Sequence, residues 1–119
     1  MENNINKFIK NILSLEDNWD GNGAKKFDKV FVEYIENLAK ELIIVPQIFP
    51  TVNGEIQFEF EDENNYLEFV FNNENRNKIN AFAKWGNGKE VNFLIESESD
   101  NVSESLNIFL EGFKNLEKE

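Results

Sequence analysis

Residues 55–71 read "EIQFEFEDENNYLEFVF". Ile56, Phe58 and Phe60 alternate with Glu55, Gln57, Glu59 and Glu61. Leu67, Phe69 and Phe71 then alternate with Tyr66, Glu68 and Val70. Successive side chains of a strand point to opposite faces, so a period of two predicts a strand with one apolar face. The intervening "DENN" has turn composition. The stretch therefore predicts a hairpin with an aromatic face and an acidic face.

The same period continues downstream. Ile79, Ala81, Ala83 and Trp85 alternate with Asn80, Phe82 and Lys84. Val91, Phe93 and Ile95 alternate with Glu90, Asn92, Leu94 and Glu96. "NNENRN" and "GNG" supply the joints, which predicts a four-stranded antiparallel meander. Upstream, "VPQIFPTVNGE" contains both prolines of the chain and reads as a tied-down connector.

The flanks change period. Ile5, Phe8, Ile9, Ile12 and Leu13 have the three-and-four spacing of an amphipathic helix, expected over about residues 3–15. A second stripe runs Phe27, Val30, Phe31, Tyr34, Ile35, Leu38, Leu42, with Asp28 as the expected side-chain N-cap and Pro46 as the stop. A third runs Val102, Leu106, Phe109, Leu110, Phe113, Leu116, starting near Ser99–Asn101. Helices grouped before and after a run of strands predict an α+β fold. The expectation is one domain over 1–119, with two N-terminal helices, the meander, a C-terminal helix, and the helices on one face of the sheet.

Composition narrows the function. The 119 residues include twelve Phe, two Trp and two Tyr, ample for a core. Cysteine and histidine are absent. That excludes disulfides, thiolate metal sites and Ser-His or Cys-His nucleophile systems, and it removes the commonest zinc ligand. No apolar run is long enough to span a membrane, and "MENNINKFIKNILSL" lacks the basic start of a secretory signal. These features predict a cytoplasmic protein.

The net charge is −11, and it is unevenly spread. Residues 55–68 hold Glu55, Glu59, Glu61, Asp62, Glu63 and Glu68 without a base. Residues 96–119 hold seven acids against Lys114 and Lys118. Direct nucleic-acid binding needs a basic footprint and is not expected. A basic protein partner, such as a nucleic-acid-binding enzyme, suits this charge better. The polar sheet face also carries Tyr66, Val70, Phe82 and Leu94, which fits either partial cover by a loop or chain terminus or a binding surface, since apolar groups rimmed by charge mark interfaces. The candidate partner-binding residues are Glu55, Glu59, Glu61, Asp62, Glu63, Tyr66, Glu68 and Phe82. The competing explanation is that the acidity only confers solubility.

Between the first two helices lies "LEDNWDGNGAKKF", residues 15–27. Asn18, Asp20, Asn22 and Gly23 match the front of a calcium loop. The twelfth position, where such a loop places a bidentate Glu, is Lys29. A structural corner fits better. Asp and Asn bond their own backbone, Gly21 and Gly23 supply positive φ, and Trp19 folds back to cap the core. Trp19, Asp20, Gly21 and Gly23 are thus expected to be turn residues, with a Trp19 partner contact as the alternative. No metal or cofactor is expected.

"NWDGNGA" (Asn18 to Ala24) resembles the NWDG-x-GA signature of a family of small bacterial and phage proteins of uncharacterised activity. In that family the signature links two N-terminal helices, and a Pro-rich segment ending "PT" leads into a strand with a Gly and a Glu. "PQIFPTVNGEIQFEF" (Pro46 to Phe60) has this layout, although Glu59-Phe60 replaces the Glu-Trp pair of many members. The resemblance covers about the first half of the chain. It implies fold more than activity, and a setting in mobile or phage DNA.

Catalysis is not expected. Glu59, Glu61 and Glu68 can meet across strands, as glycosidase carboxylates do, but a single small layer offers no deep sugar cleft. "GNGAKK" lacks P-loop spacing. The sequence points to a non-enzymatic acidic binding protein that occludes a basic surface, as an inhibitor, antitoxin, immunity protein or phage counter-defence factor does, with its carboxylates mimicking a nucleic-acid backbone. The alternative is an assembly module that homodimerises through the mixed sheet face.

Overall fold

The computed structural model describes residues 2–98 and 101–116. Helix α1 (Glu2–Leu13) and helix α2 (Lys29–Lys40) precede strands β1 (Gln47–Pro50), β2 (Ile56–Glu61), β3 (Tyr66–Phe71), β4 (Lys78–Lys84) and β5 (Glu90–Glu96). Helix α3 (Val102–Leu116) follows. The strands form one antiparallel sheet in the order β1-β2-β3-β4-β5. The α+β class holds, but the sheet has five strands, not four.

The extra strand is the two-proline connector. Gln47–Pro50 pairs with Ile56–Glu59, and Pro50 lies opposite Ile56. Proline cannot donate to a ladder, yet it is tolerated on an edge strand, and β1 is an edge. The sequence signal was weak because Ile48 is its one fully buried residue.

Inward-facing residues of every strand join the helices in one core. Ile48, Ile56, Phe58, Phe60, Leu67, Phe69, Phe71, Ile79, Ala81, Ala83 and Ile95 pack with Ile5, Ile9, Ile12, Phe31, Ile35, Leu38, Leu106, Leu110 and Phe113. Aromatic rings lock the centre edge to face, with Phe58 and Phe71 at 4.6 Å and Phe60 and Phe69 at 5.5 Å between centroids. Phe8 of α1 meets Phe49 of β1 at 5.5 Å, so α1 lies along that edge. Arg76, in the β3–β4 turn, sits 4.8 Å from the Tyr34 ring and 5.7 Å from the Phe31 ring, tying the turn to α2. Asn107 clips α3 to the end of α2: its amide donates to the Glu41 carbonyl (3.1 Å) and its oxygen accepts the Ile43 N–H (2.9 Å).

Helix details differ from the sequence reading. α1 stops at Leu13, where the Ser14 hydroxyl bonds the Asn11 carbonyl at 2.7 Å. In α2, Val32 is buried while Val30 faces water. The 31, 35, 38 stripe leaves Val30 off its centre, one-quarter turn from Phe31. Asp28 occupies the N-cap with extended backbone, but its side chain makes no capping bond. Its carbonyl takes the Val32 N–H at 3.0 Å instead. The Asn101 carbonyl accepts the Ser105 N–H at the start of α3. Ser99 and Asp100, in the expected start, lie outside the described residues. So do the terminal acids Glu117 and Glu119.

Candidate functional site

The face of the sheet away from the helices carries the sequence-predicted acids. The four-residue turn Asp62–Asn65 fixes the β2–β3 register, setting Glu61 opposite Tyr66 and Glu59 opposite Glu68. One strand further, Glu68 lies opposite Phe82. The row Gln47–Glu59–Glu68–Phe82–Asn92 thus crosses the whole sheet.

At the centre of this row two carboxylates face each other, an arrangement that destabilises a sheet. Local partners are neutral. The Gln57 amide donates to Glu59, and the Tyr66 hydroxyl donates to Glu68 Oε1 at 2.7 Å. Among the described residues the ion pairs are Lys40–Glu36 at 3.4 Å and Lys84–Glu90 at 3.9 Å, and neither involves Glu59, Glu61 or Glu68. The Tyr66 and Phe82 rings, both half-buried, lie 6.2 Å apart beside the acids.

Burial raises the Tyr66 hydroxyl above the usual tyrosine range, and the hydrogen bond and charge of Glu68, then of Glu59, push it further. Tyr34 is raised too, by burial, which outweighs Arg76. These are the two tyrosines of the chain. A raised folded-state pKa contributes stability that is complete below the unfolded value near 10 and lost as pH rises beyond it. Absorbance titration at about pH 10, where an unperturbed tyrosine is half ionised, should therefore show less tyrosinate in the native protein than in denaturant. Normal native titration would place the rings in water.

The predicted site residues do not all converge. Glu55 sits in the β1–β2 turn, where its N–H bonds Thr51 Oγ1, at the far end of β2 from Glu61. Asp62 is a turn residue. Burial opposes its charge, but the N–H groups of Asn64 and Asn65, each 2.8 Å from Oδ1, and the Asn65 side chain outweigh it and hold its carboxyl below the usual range. Glu63 is exposed at the tip. A recess of about 400 Å³ lies at this end, lined by Glu61–Tyr66 and by Lys84, Trp85, Gly86 and Gly88. Glu59 and Glu68 are outside it, on the open face. Sequence reasoning missed Gln57 as a partner of Glu59, although its place two residues before Glu59 puts it on the same face.

The loop at Asn18–Ala24 uses its polar atoms on itself. Asp20 Oδ1 accepts the Ala24 and Asn22 N–H groups, each at 2.9 Å, which lowers its pKa. Asn18 Oδ1 accepts the Gly23 N–H at 2.7 Å, and Asp17 Oδ1 the Lys26 N–H at 3.1 Å. Asn18, Gly21 and Gly23 have φ of 68°, 78° and 91°. Trp19 does not cap the core. It is half-buried, its ring lies 6.3 Å from Phe27, and its Nε1–H donates to the Lys25 carbonyl at 3.1 Å. That bond straps the loop across Lys25, and Phe27 takes the core-facing place. Space around Gly21 and Gly23 is open, so a side chain there meets backbone strain alone. Gly21→Val and Gly23→Val should each cost about 1–2 kcal/mol in thermal melts. If both are silent, the loop does not hold these dihedrals.

Gly23–Asp28 and Val52–Gly54 line a common recess of about 340 Å³. No described helix is long and apolar enough to cross a membrane. Comparison of the chain with protein-family models, curated proteins and solved structures finds no match.

Proposed function

We propose that this chain is a non-enzymatic acidic binding protein that covers a basic surface of a partner protein with the outer face of β2 and β3. The observation that carries this reading is the Glu59–Glu68 opposition, with Glu61 beside it and no cation bonded to any of the three among the described residues. Like charges held opposite cost stability that a cationic partner would return. Tyr66 and Phe82 supply the apolar ground inside the charged rim, the composition of an interface centre. An inhibitor, antitoxin, immunity or counter-defence protein acts by such occlusion, and its carboxylates would stand in for nucleic-acid phosphates. A catalytic use of the pair is the weaker reading, because Glu59 and Glu68 lie outside the recess on this face. A homodimer made face to face through this surface is weaker still, since it sets acid against acid.

The test is affinity capture from the native host, with the wild-type protein and the triple variant Glu59→Lys, Glu61→Lys, Glu68→Lys as parallel baits. A basic protein retained by the first and lost by the second supports the proposal. Identical retention by both opposes it.

A further inference from the structure

The two edges of the sheet are finished differently. β1 is short, ends in Pro50 and has α1 along it through the Phe8–Phe49 contact. β5 has seven residues, "EVNFLIE", without proline or lysine. It pairs with β4 residue for residue from Lys78–Glu96 to Lys84–Glu90, so no bulge turns it away. Among the described residues nothing pairs with its other side. Proteins usually blunt such an edge, because its free N–H and C=O groups template another strand. Apolar groups flank it: Val91 is 40 % exposed, Leu94 48 %, and Phe109 of α3, tilted against Phe93 at 5.3 Å between centroids, 40 %.

We infer that β5 is the interface of a two-fold homodimer, in which two β5 strands pair antiparallel and join the sheets into one of ten strands. This does not rest on the function proposed above. Charge selects a second copy over a basic strand. The outer face beside β5 is locally neutral, with Lys84 paired to Glu90 and Lys78 in register with Glu96. The acids of this face with no lysine opposite them, Glu59, Glu61 and Glu68, lie on β2 and β3. In the dimer the two β3 strands are five strand spacings apart, roughly 24 Å, against a screening length of about 8–10 Å. By helical phase Glu104 and Glu111 of α3 lie well over 90° around the helix from Phe109, so they point away from the two-fold.

The register follows. A two-fold at Phe93 would set Glu90 against Glu96, and one at Leu94 would set Glu90 against Glu98. A two-fold at Asn92 places Asn92 opposite its own copy, Val91 opposite Phe93 and Glu90 opposite Leu94, with no like pair, and it pairs five strand residues where a two-fold at Val91, also free of like pairs, would pair three.

Light scattering and sedimentation of the full chain at roughly 100 µM test this. The expected mass is twice 13.9 kDa, about 27.8 kDa. Val91→Lys and Leu94→Lys, both at exposed positions, should each return the mass to 13.9 kDa with an unchanged circular dichroism spectrum. The chain has no cysteine, so Asn92→Cys offers an independent check. It should cross-link under mild oxidation, whereas Asn80→Cys, one strand in, should not. A wild-type mass of 13.9 kDa overturns the inference. So does a dimer that survives both lysine variants, or one in which Asn80→Cys cross-links as readily as Asn92→Cys.

Discussion

Phe69→Ala should destabilise the protein by about 3–5 kcal/mol, the usual cost of deleting a fully buried aromatic. Phe69 is 0 % exposed on the central strand β3, between Phe58 and Ala81 in register and edge-on to Phe60. Ala81 is too small to fill the space, so a cavity would remain. Trp19→Ala should cost far less, about 1–2 kcal/mol, because its ring is only part-buried and touches Phe27 rather than the core. Urea denaturation gives both numbers from midpoint and slope. Equal losses at the two positions would mean that Trp19 is a core residue after all.

That contrast shows which sequence signals were legible. The period-two runs from Ile56 to Ile95 named the inner face because burial there is continuous and the turns are short. They also placed Glu59 and Glu68 on adjacent strands. β1 was hidden because Pro46 and Pro50 resemble a connector, and one buried residue, Ile48, cannot establish a period. Trp19 misled because residue type reports size and not reach. Whether a turn Trp enters the core depends on loop geometry, here decided by Asp20 and Asn18 folding the backbone onto themselves. Asp62 looked like part of the acidic cluster, but a carboxylate two residues before free turn amides is taken up by them. Composition shows an acid; only the register shows whether its charge remains available.

The second large effect is kinetic. Steering by complementary charge raises association rates by about 10–10³, so removing it should slow binding by at least tenfold. Glu59→Lys alone should also gain about 0.2–1 kcal/mol of stability, since it turns a like-charge pair into an opposite one and leaves the Tyr66–Glu68 hydrogen bond in place. A more stable protein that binds more slowly is the signature expected of a face held for function. Tyr66→Ala and Phe82→Ala should act chiefly on dissociation, as apolar anchors do.

The most direct measurement is the association rate with the captured partner at about 50 mM and about 500 mM salt, for the wild-type protein and the Glu59→Lys, Glu61→Lys, Glu68→Lys variant. The docking account predicts a wild-type rate that falls at least tenfold between the two salts and a variant that is slow at both. Rates that are the same for both proteins and at both salts would contradict it.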